Sequence, residues 1–323
     1  MHPPTFWRHD GWLARALSPA SGLVAAATAR RVARPGWRAP VPVLCCGNVT
    51  VGGAGKTTLA LDIGQRLQRR GLRVAFITRG YGGTVRGAVQ VHDGASATQV
   101  GDEALLLAAV APTWVCADRA AAAAAAAVAD GAAVLVMDDG LQNAGLIQDV
   151  GLLVIDGAVG FGNGRVMPAG PLREPVAAGA ARCHAAILVG ADVTNAASAL
   201  PATLPVIHAT LRTVVTSGAG GADGLAGRRV FAFAGIGRPG KFYETLALAG
   251  AVIAGRQDFA DHYVYRTADL VRLQRRAREA DADLVTTPKD AVRLPAGFGV
   301  IVAGVALHWA EEAEIEALLD NLV

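Results

Sequence analysis

Apolar and polar positions set two different rhythms along the chain. Over residues 5–34, Leu13 and Leu17 share one helical face, and Leu23, Val24 and Ala27 continue an apolar stripe. The spacing predicts two short helices broken at Ser18-Pro19, where proline removes a backbone donor. From Val41 onward, short and nearly continuous apolar runs alternate with helical periods. Strands are expected at 41–46, 72–78, 113–116, 133–137, 152–155 and 185–189, with helices at 57–70, 102–111 and 118–130. The last helix contains eight consecutive alanines, 120–127, and alanine is the best helix former. Strands apolar on both faces and separated by helices predict a parallel sheet covered on both sides.

The rhythm breaks over 190–228, where a run of small residues at 217–221 marks a boundary and 208–215 reads as a connecting strand. A second series follows: strands at 230–234, 251–253, 284–287 and 299–302, helices at 241–249 and 268–280, and a closing helix at 310–322. The fold class expected is therefore α/β. A membrane-associating segment occupies 1–36, a P-loop-like α/β/α domain with a mostly parallel sheet 37–205, and a smaller second α/β domain 206–323.

Composition refines this picture in three places. With 52% hydrophobic and 18% charged residues, the 323-residue chain has the makings of a packed protein. Its net charge of +3 is too small to argue for nucleic acid, but the charge is uneven. Six arginines (8, 15, 30, 31, 34 and 38) face one acid, Asp10, in the first 38 residues, together with three of the five tryptophans. Arginine and tryptophan beside an apolar stripe suit either an anionic membrane surface or a helix packed on the domain. The chain lacks an apolar run of about 18 residues, so no spanning helix is expected, and Arg30-Arg31 after the apolar stretch 21–29 argues against a signal peptide. The four cysteines lack metal-ligand spacing and read as buried, reduced thiols.

The chemistry is densest at 41–58. An apolar strand runs into a turn containing Thr50, Gly52, Gly53, Ala54 and Gly55, and Lys56, Thr57 and Thr58 open a helix. Free backbone N–H groups and a helix N-terminus suit phosphate oxygens; Lys56 would reach the outer phosphates and Thr57 a magnesium ion. The first glycine of the strict phosphate-loop pattern is replaced by Thr50. A second apolar strand ends in Asp138 and Asp139, at the sheet edge where α/β folds bind ligands, as expected of metal-site carboxylates. Asp102 reads by itself as a helix N-cap, and His262 as a lone histidine; together they could form an acid–base pair. Arg79 and Tyr81 end another strand, and Asn163, Arg173 and Glu174 lie in a long Gly/Pro-rich insert.

Nine segments, in order, closely resemble the tetraacyldisaccharide 4'-kinases of lipid A biosynthesis. They are 47–57 (Gly-Asn-Val-Thr-Val-Gly-Gly-Ala-Gly-Lys-Thr), 78–83 (Thr-Arg-Gly-Tyr-Gly-Gly), 101–103 (Gly-Asp-Glu), 138–142 (Asp-Asp-Gly-Leu-Gln), 161–164 (Phe-Gly-Asn-Gly), 168–174 (Pro-Ala-Gly-Pro-Leu-Arg-Glu), 233–237 (Phe-Ala-Gly-Ile-Gly), 260–262 (Ala-Asp-His) and 289–292 (Lys-Asp-Ala-Val). The resemblance implies two α/β/α units joined by a short β linker, with ATP and Mg2+ bound between them. It implies transfer of the γ-phosphoryl group to the 4'-hydroxyl of a tetraacylated glucosamine disaccharide 1-phosphate. It further implies Asp102 as catalytic base with His262 as dyad partner, residues 50 and 52–58 on the nucleotide, and Thr57, Asp138 and Asp139 on the metal. Arg79, Tyr81, Gln142, Asn163, Arg173 and Glu174 become candidates for the acceptor. It also turns the N-terminal segment toward the cytoplasmic face of the inner membrane, as a peripheral anchor. Two positions depart from the family pattern: Asn143 stands where histidine is frequent, and Pro288 where glutamate is frequent. Val51, where partitioning-type P-loop ATPases carry a lysine, argues against that alternative, and a nucleotide-binding module without turnover is the other rival.

Overall fold

The computed structural model describes residues 4–217, 224–320 and 322; most of the run of small residues at 217–221 lies outside them. The twelve strands are β1 (Val43–Gly47), β2 (Val74–Thr78), β3 (Val89–Gln90), β4 (Thr113–Val115), β5 (Val134–Asp138), β6 (Val150–Asp156), β7 (Ala185–Val189), β8 (Val206–Ser217), β9 (Arg229–Ala234), β10 (Val252–Asp258), β11 (Asp283–Thr286) and β12 (Ile301–Trp309). They form one sheet in the order β10-β9-β11-β12-β8-β7-β6-β1-β5-β2-β4-β3. All pairings are parallel except β3 with β4 and β8 with β12. The α/β class and the mostly parallel sheet read from the apolar runs are thus observed.

Alternation across the central strands explains the layers. Leu44, Cys46, Phe76, Val134 and Val136 face the Lys56–Arg69 helix through Leu59, Ile63 and Leu67. Val43, Cys45, Ala75, Ile77 and Leu135 face the other way, onto Ala122, Ala123 and Ala126 of the Arg119–Ala129 helix. The alanine run is therefore a packing surface, capped by Asp118, whose carboxylate accepts from the Ala120 and Ala121 N–H groups. In the second unit, Val230 and Ala232 pack under the Pro239–Leu248 helix, while Phe231 and Phe233 meet Leu270 and Leu273 of the Thr267–Glu279 helix.

The connection between the units is longer than the 208–215 expected. β8 pairs with β7 of the first unit and, antiparallel, with the whole length of β12. One end of this two-stranded ribbon, Ile207, Ala209, Leu307 and Trp309, belongs to the first core, and the other, Val215, Ile301 and Ala303, to the second. The ribbon has a register shift between Val302 and Ala303. Beyond β12, Ile315 and Leu319 of the Glu312–Asp320 helix return to the first core. There Arg66 and Arg70 of the phosphate-loop helix both pair with Glu316.

The N-terminal segment differs from expectation. Ser18-Pro19 does not break the chain into two helices: a single α-helix spans Trp12–Val32, preceded by a 3-10 turn at Thr5–Arg8. The bond lost at Pro19 is offset by side-chain anchors. Ser18 Oγ donates to the Ala14 carbonyl at 2.9 Å, and Ser21 Oγ to the Val166 carbonyl at 2.6 Å. Only Ala14, Ser21 and Thr28 are buried, one small residue every two turns, and they seat the helix on the Gly/Pro-rich insert. Among the described residues, no helix is long and apolar enough to cross a membrane.

Candidate active site

β1 lies between β5 and β6, at the point where the chain switches from building the sheet on one side to the other. The crevice at the carboxyl ends of such strands is the ligand site of open α/β sheets. Every group singled out by its chemistry, apart from those of the insert, comes to this edge.

The loop after β1 turns on Gly52 (φ 119°) and Gly55 (φ 93°), a backbone region that side chains disfavour. A Cβ added at Gly52, Gly53 or Gly55 would meet nothing within 4 Å, so these positions open on free space rather than on protein. Ala54 is buried, Thr50 accepts a bond from Asn48 Nδ2 at 2.9 Å, and Lys56 Nζ donates to Asn48 Oδ1 at 3.1 Å. Burial holds the Lys56 ammonium below the usual lysine range, against the pull of Asp139 at 3.7 Å. Asn48 itself is fully buried and was not singled out from sequence, although it lies inside the matching loop segment.

The two aspartates after β5 divide the work. Thr57 Oγ1 donates to Asp138 Oδ2 at 2.8 Å, while Asp138 Oδ1 is buried without a partner. Burial raises the Asp138 carboxyl to about 6 despite the Thr57 bond and Lys56. A buried carboxylate oxygen with nothing to bind, beside a helix-initiating threonine, fits a hard divalent cation whose remaining ligands are water and phosphate oxygens. Asp139 sits in the left-handed region (φ 56°) and takes a two-pronged contact from Arg173, at 2.7 and 3.1 Å. Burial would raise its pKa, but Lys56 and Arg173 outweigh that and hold it below the ordinary carboxylate value.

Asp102 opens the Asp102–Ala108 helix and is 2% exposed. Its Oδ2 bonds His262 Nδ1 at 2.7 Å, and its Oδ1 is ion-paired with Arg293 Nε at 3.1 Å. The acid–base pair is therefore assembled across 160 residues. Both Asp102 oxygens thus have a contact in the second unit, and His262, 37% exposed, is the more open member of the pair. The hydrogen bond to Asp102 raises the His262 pKa, with burial opposing, and the exposed Tyr81 ring lies 6.1 Å away. Lys289 pairs with Glu103, whose Oε2 is also buried without a partner. On the other side of the crevice Arg238 donates to the Gly53 carbonyl at 3.0 Å and, with Lys241, contacts Asp156. Arg293, Arg238 and Lys241 carried no sequence signal beyond, for Arg293 and Arg238, their places just after the 289–292 and 233–237 segments.

The acceptor candidates separate into two groups. Arg79 and Tyr81 project into solvent at the end of β2. Asn163, by contrast, spends its amide on the carbonyls of Ala169 at 2.9 Å and Phe6 at 3.3 Å, while its oxygen accepts from Arg165 N–H; it ties the insert to the N-terminal turn. Glu174 is 2% exposed and satisfied by Arg182 and by Gln142 Nε2 at 2.8 Å. Gln142 also bonds the Asn48 carbonyl and Arg173. In this structure all three bind protein groups, which gives them a scaffold role beside the acceptor role expected of them. Arg173 remains half in the scaffold, on Asp139, and half toward the crevice.

A phosphate loop after the first strand of a mostly parallel sheet, with a carboxylate strand beside it, defines a nucleotide-binding α/β protein of the P-loop type. The family described as Tetraacyldisaccharide-1-P 4'-kinase matches residues 13–323. The tetraacyldisaccharide 4'-kinase of Gluconacetobacter diazotrophicus is 56% identical over 325 residues, covering 99% of this chain and 98% of the relative. That of Rhodospirillum rubrum is 48% identical over 327 residues, covering 100% and 98%. The crystal structure of LpxK from Aquifex aeolicus in complex with ATP has the same fold, with a TM-score of 0.79 at 24% identity over 96% of this chain and 99% of that one. The chain belongs to the tetraacyldisaccharide 4'-kinase family and is a kinase.

The orphaned Asp138 oxygen generates a prediction. The burial cost is absent while the carboxyl is protonated and grows as pH rises from about 4 through about 6. Asp138→Asn should therefore raise the thermal midpoint at pH 7 without magnesium, by an amount that shrinks on acidification to pH 5. It should also lower kcat by about a hundredfold or more. Unfolding scans at the two pH values check the first outcome, and steady-state kinetics the second.

Proposed function

We propose that this kinase transfers the γ-phosphoryl group of ATP to the 4'-hydroxyl of a tetraacylated glucosamine disaccharide 1-phosphate, in lipid A biosynthesis. The observation that carries the reading is the convergence, on one sheet edge, of the open glycine loop with Lys56-Thr57, the orphaned Asp138 carboxylate and the Asp102–His262 pair. Phosphoryl transfer needs positioning and neutralised charge more than covalent help. Residues 50 and 52–58 would cradle the phosphates, with Lys56 leaving Asn48 for the outer ones. Thr57 and Asp138, with Asp139 nearby, would hold Mg2+, which neutralises charge on the phosphates when bound. Arg173 keeps Asp139 ionised and oriented.

A sugar hydroxyl is a poor nucleophile until its proton is removed. We assign that step to His262: its Nδ1 is held by Asp102, which fixes the ring and leaves Nε2, 3.8 Å from Asp261 Oδ1, as the atom for the acceptor proton. Asp102 then orients the ring and stabilises the imidazolium formed. Arg79, Tyr81 and Arg173 remain as candidates for the acceptor sugar and its 1-phosphate. The first unit, which the Glu312–Asp320 helix rejoins, and the second unit built on β9–β11 flank the nucleotide in this reading, with the β8–β12 ribbon shared between them.

The Trp12–Val32 helix is proposed as a peripheral anchor on the cytoplasmic face of the inner membrane. Trp12 (80% exposed) and Leu23 (75%) stand on its outer side, flanked by arginines, as in interfacial helices. Deleting residues 1–36 should weaken sedimentation with phosphatidylglycerol-containing liposomes by about tenfold; unchanged sedimentation removes the anchor.

The function is tested by incubating the protein with ATP, magnesium and the detergent-dispersed disaccharide 1-phosphate. A new 4'-phosphomonoester, with ATP consumption that depends on the acceptor, is the expected result, and acceptor-independent hydrolysis sinks the reading. The base assignment has its own signature. A base must be neutral, and Asp102 raises the His262 pKa above the ordinary 6.5, so kcat should rise with pH through a limb above that value. Asp102→Asn should move the limb downward and lower kcat; a limb that stays in place in this variant rules out the pair.

A further inference from the structure

Asp102 is clasped on both oxygens by groups from the second unit, and one of these has no role in the chemistry above. Arg293 follows the short Pro288–Ala291 helix, and its side chain is 5% exposed. Its guanidinium is preformed within its own unit: Nε donates to the Lys289 carbonyl at 3.0 Å, Nη1 and Nη2 to the Gly235 carbonyl at 3.2 Å and Nη1 also to the Tyr263 carbonyl at 3.1 Å, and Nη1 lies 3.4 Å from Asp290 Oδ1, so that its contact with Asp102 Oδ1 is one of charge. Asp290 is fully buried and anchored in turn by the Gly235 N–H and the Tyr265 hydroxyl. The Gly235 carbonyl also accepts the backbone N–H of His262 at 3.1 Å. One carbonyl thus aligns Arg293 and His262, and both reach the same carboxylate in the other unit. His262 itself is held in the left-handed region, at φ 58°, a conformation that persists only where surroundings impose it.

We propose that Arg293 is a positioning residue for phosphoryl transfer: a buried cation, delivered from the second unit, that docks Asp102 Oδ1 and so presents Oδ2 to His262 Nδ1. A carboxylate held only by the hydrogen bond at one oxygen can rotate about its terminal torsion; the Arg293 cation beside the other oxygen opposes that rotation, and the imidazole inherits the orientation. The Arg293 cation also lies beside a buried carboxylate, which would be costly without a partner. Because all the other partners of Arg293 lie in its own unit, the cation waits in place, and Asp102 meets it only when the two units come together.

The role rests on the kinase reading above and is tested by a double-mutant cycle in the full-length protein. Arg293→Gln should lower kcat by roughly tenfold or more at saturating substrates and leave the KM for ATP within about twofold. In an Asp102→Asn background the same change should cost less than about twofold, because the carboxylate it positions is gone. Free methylguanidinium should restore part of kcat to Arg293→Ala and none to Asp102→Asn. Arg293→Lys, which keeps the charge and loses the fork, should fall between the wild type and Arg293→Gln, and carries the cycle if the Gln variant does not fold. A full wild-type kcat in Arg293→Gln, or an equal loss in both backgrounds, overturns the positioning role while leaving the kinase reading intact. Absence of acceptor phosphorylation by the wild type, run in parallel, overturns that reading and this role with it.

Discussion

The pairing of β8 with β7 on one side and with β12 on the other is the constraint on which the molecule depends. It makes one sheet of two units, so relative motion must pass through a hydrogen-bonded ribbon rather than a loose linker. A ribbon can twist and bend, most readily at its register shift between Val302 and Ala303, but it cannot slide without breaking its ladder. Residues from the second unit, His262, Lys289, Arg293 and Arg238, are therefore held at fixed places on the first unit by a shared sheet. Catalytic geometry demands such reproducibility, since small misplacements are expensive in rate.

Around this frame the site is held in a state of incomplete satisfaction. Among the described residues, the buried side-chain atoms without a hydrogen-bond partner are Glu103 Oε2, Arg119 Nε and Asp138 Oδ1. Glu103 neighbours Asp102, Asp138 ends β5, and Arg119 begins the helix after β4. Elsewhere the interior is well matched. Leaving charged atoms unmet lowers stability and is the pattern of a site whose polar groups are not all satisfied by the fold. The scaffold side of the crevice shows the opposite policy, with Gln142, Glu174 and Arg182 locked together so that Arg173 and Asp139 stand still.

Much of this was legible in the residues themselves. Unbroken apolar strands ending in Gly52–Thr57 or Asp138-Asp139 announce the sheet, its loop and its ligand edge, because burial on both faces and phosphate chemistry each impose a local pattern. Asp102 with His262 could be joined only by resemblance, since a contact spanning 160 residues leaves no periodicity. Asn163 and Glu174 show a related limit: polar residues in a long loop look functional whether they bind substrate or hold the loop together. Pro19 was over-read, because its local cost is real but Ser18 and Ser21 offset it through contacts, one of them 145 residues away, that no window reveals. Arg238 and Lys241 stayed hidden because ordinary surface-type cations acquire meaning only from what faces them.

The return of the Glu312–Asp320 helix to the first core has a consequence for how the molecule is made. Arg66 meets Glu316 across 250 residues, and Leu307, Trp309, Ile315 and Leu319 complete the apolar layer beneath the phosphate-loop helix. On a ribosome, the nucleotide-binding half emerges long before the residues that seal it. Until they arrive, Leu59, Ile63 and Leu67 lack part of their cover. A growing polypeptide therefore carries its phosphate-loop helix without the full apolar cover until the C-terminal residues have been synthesised.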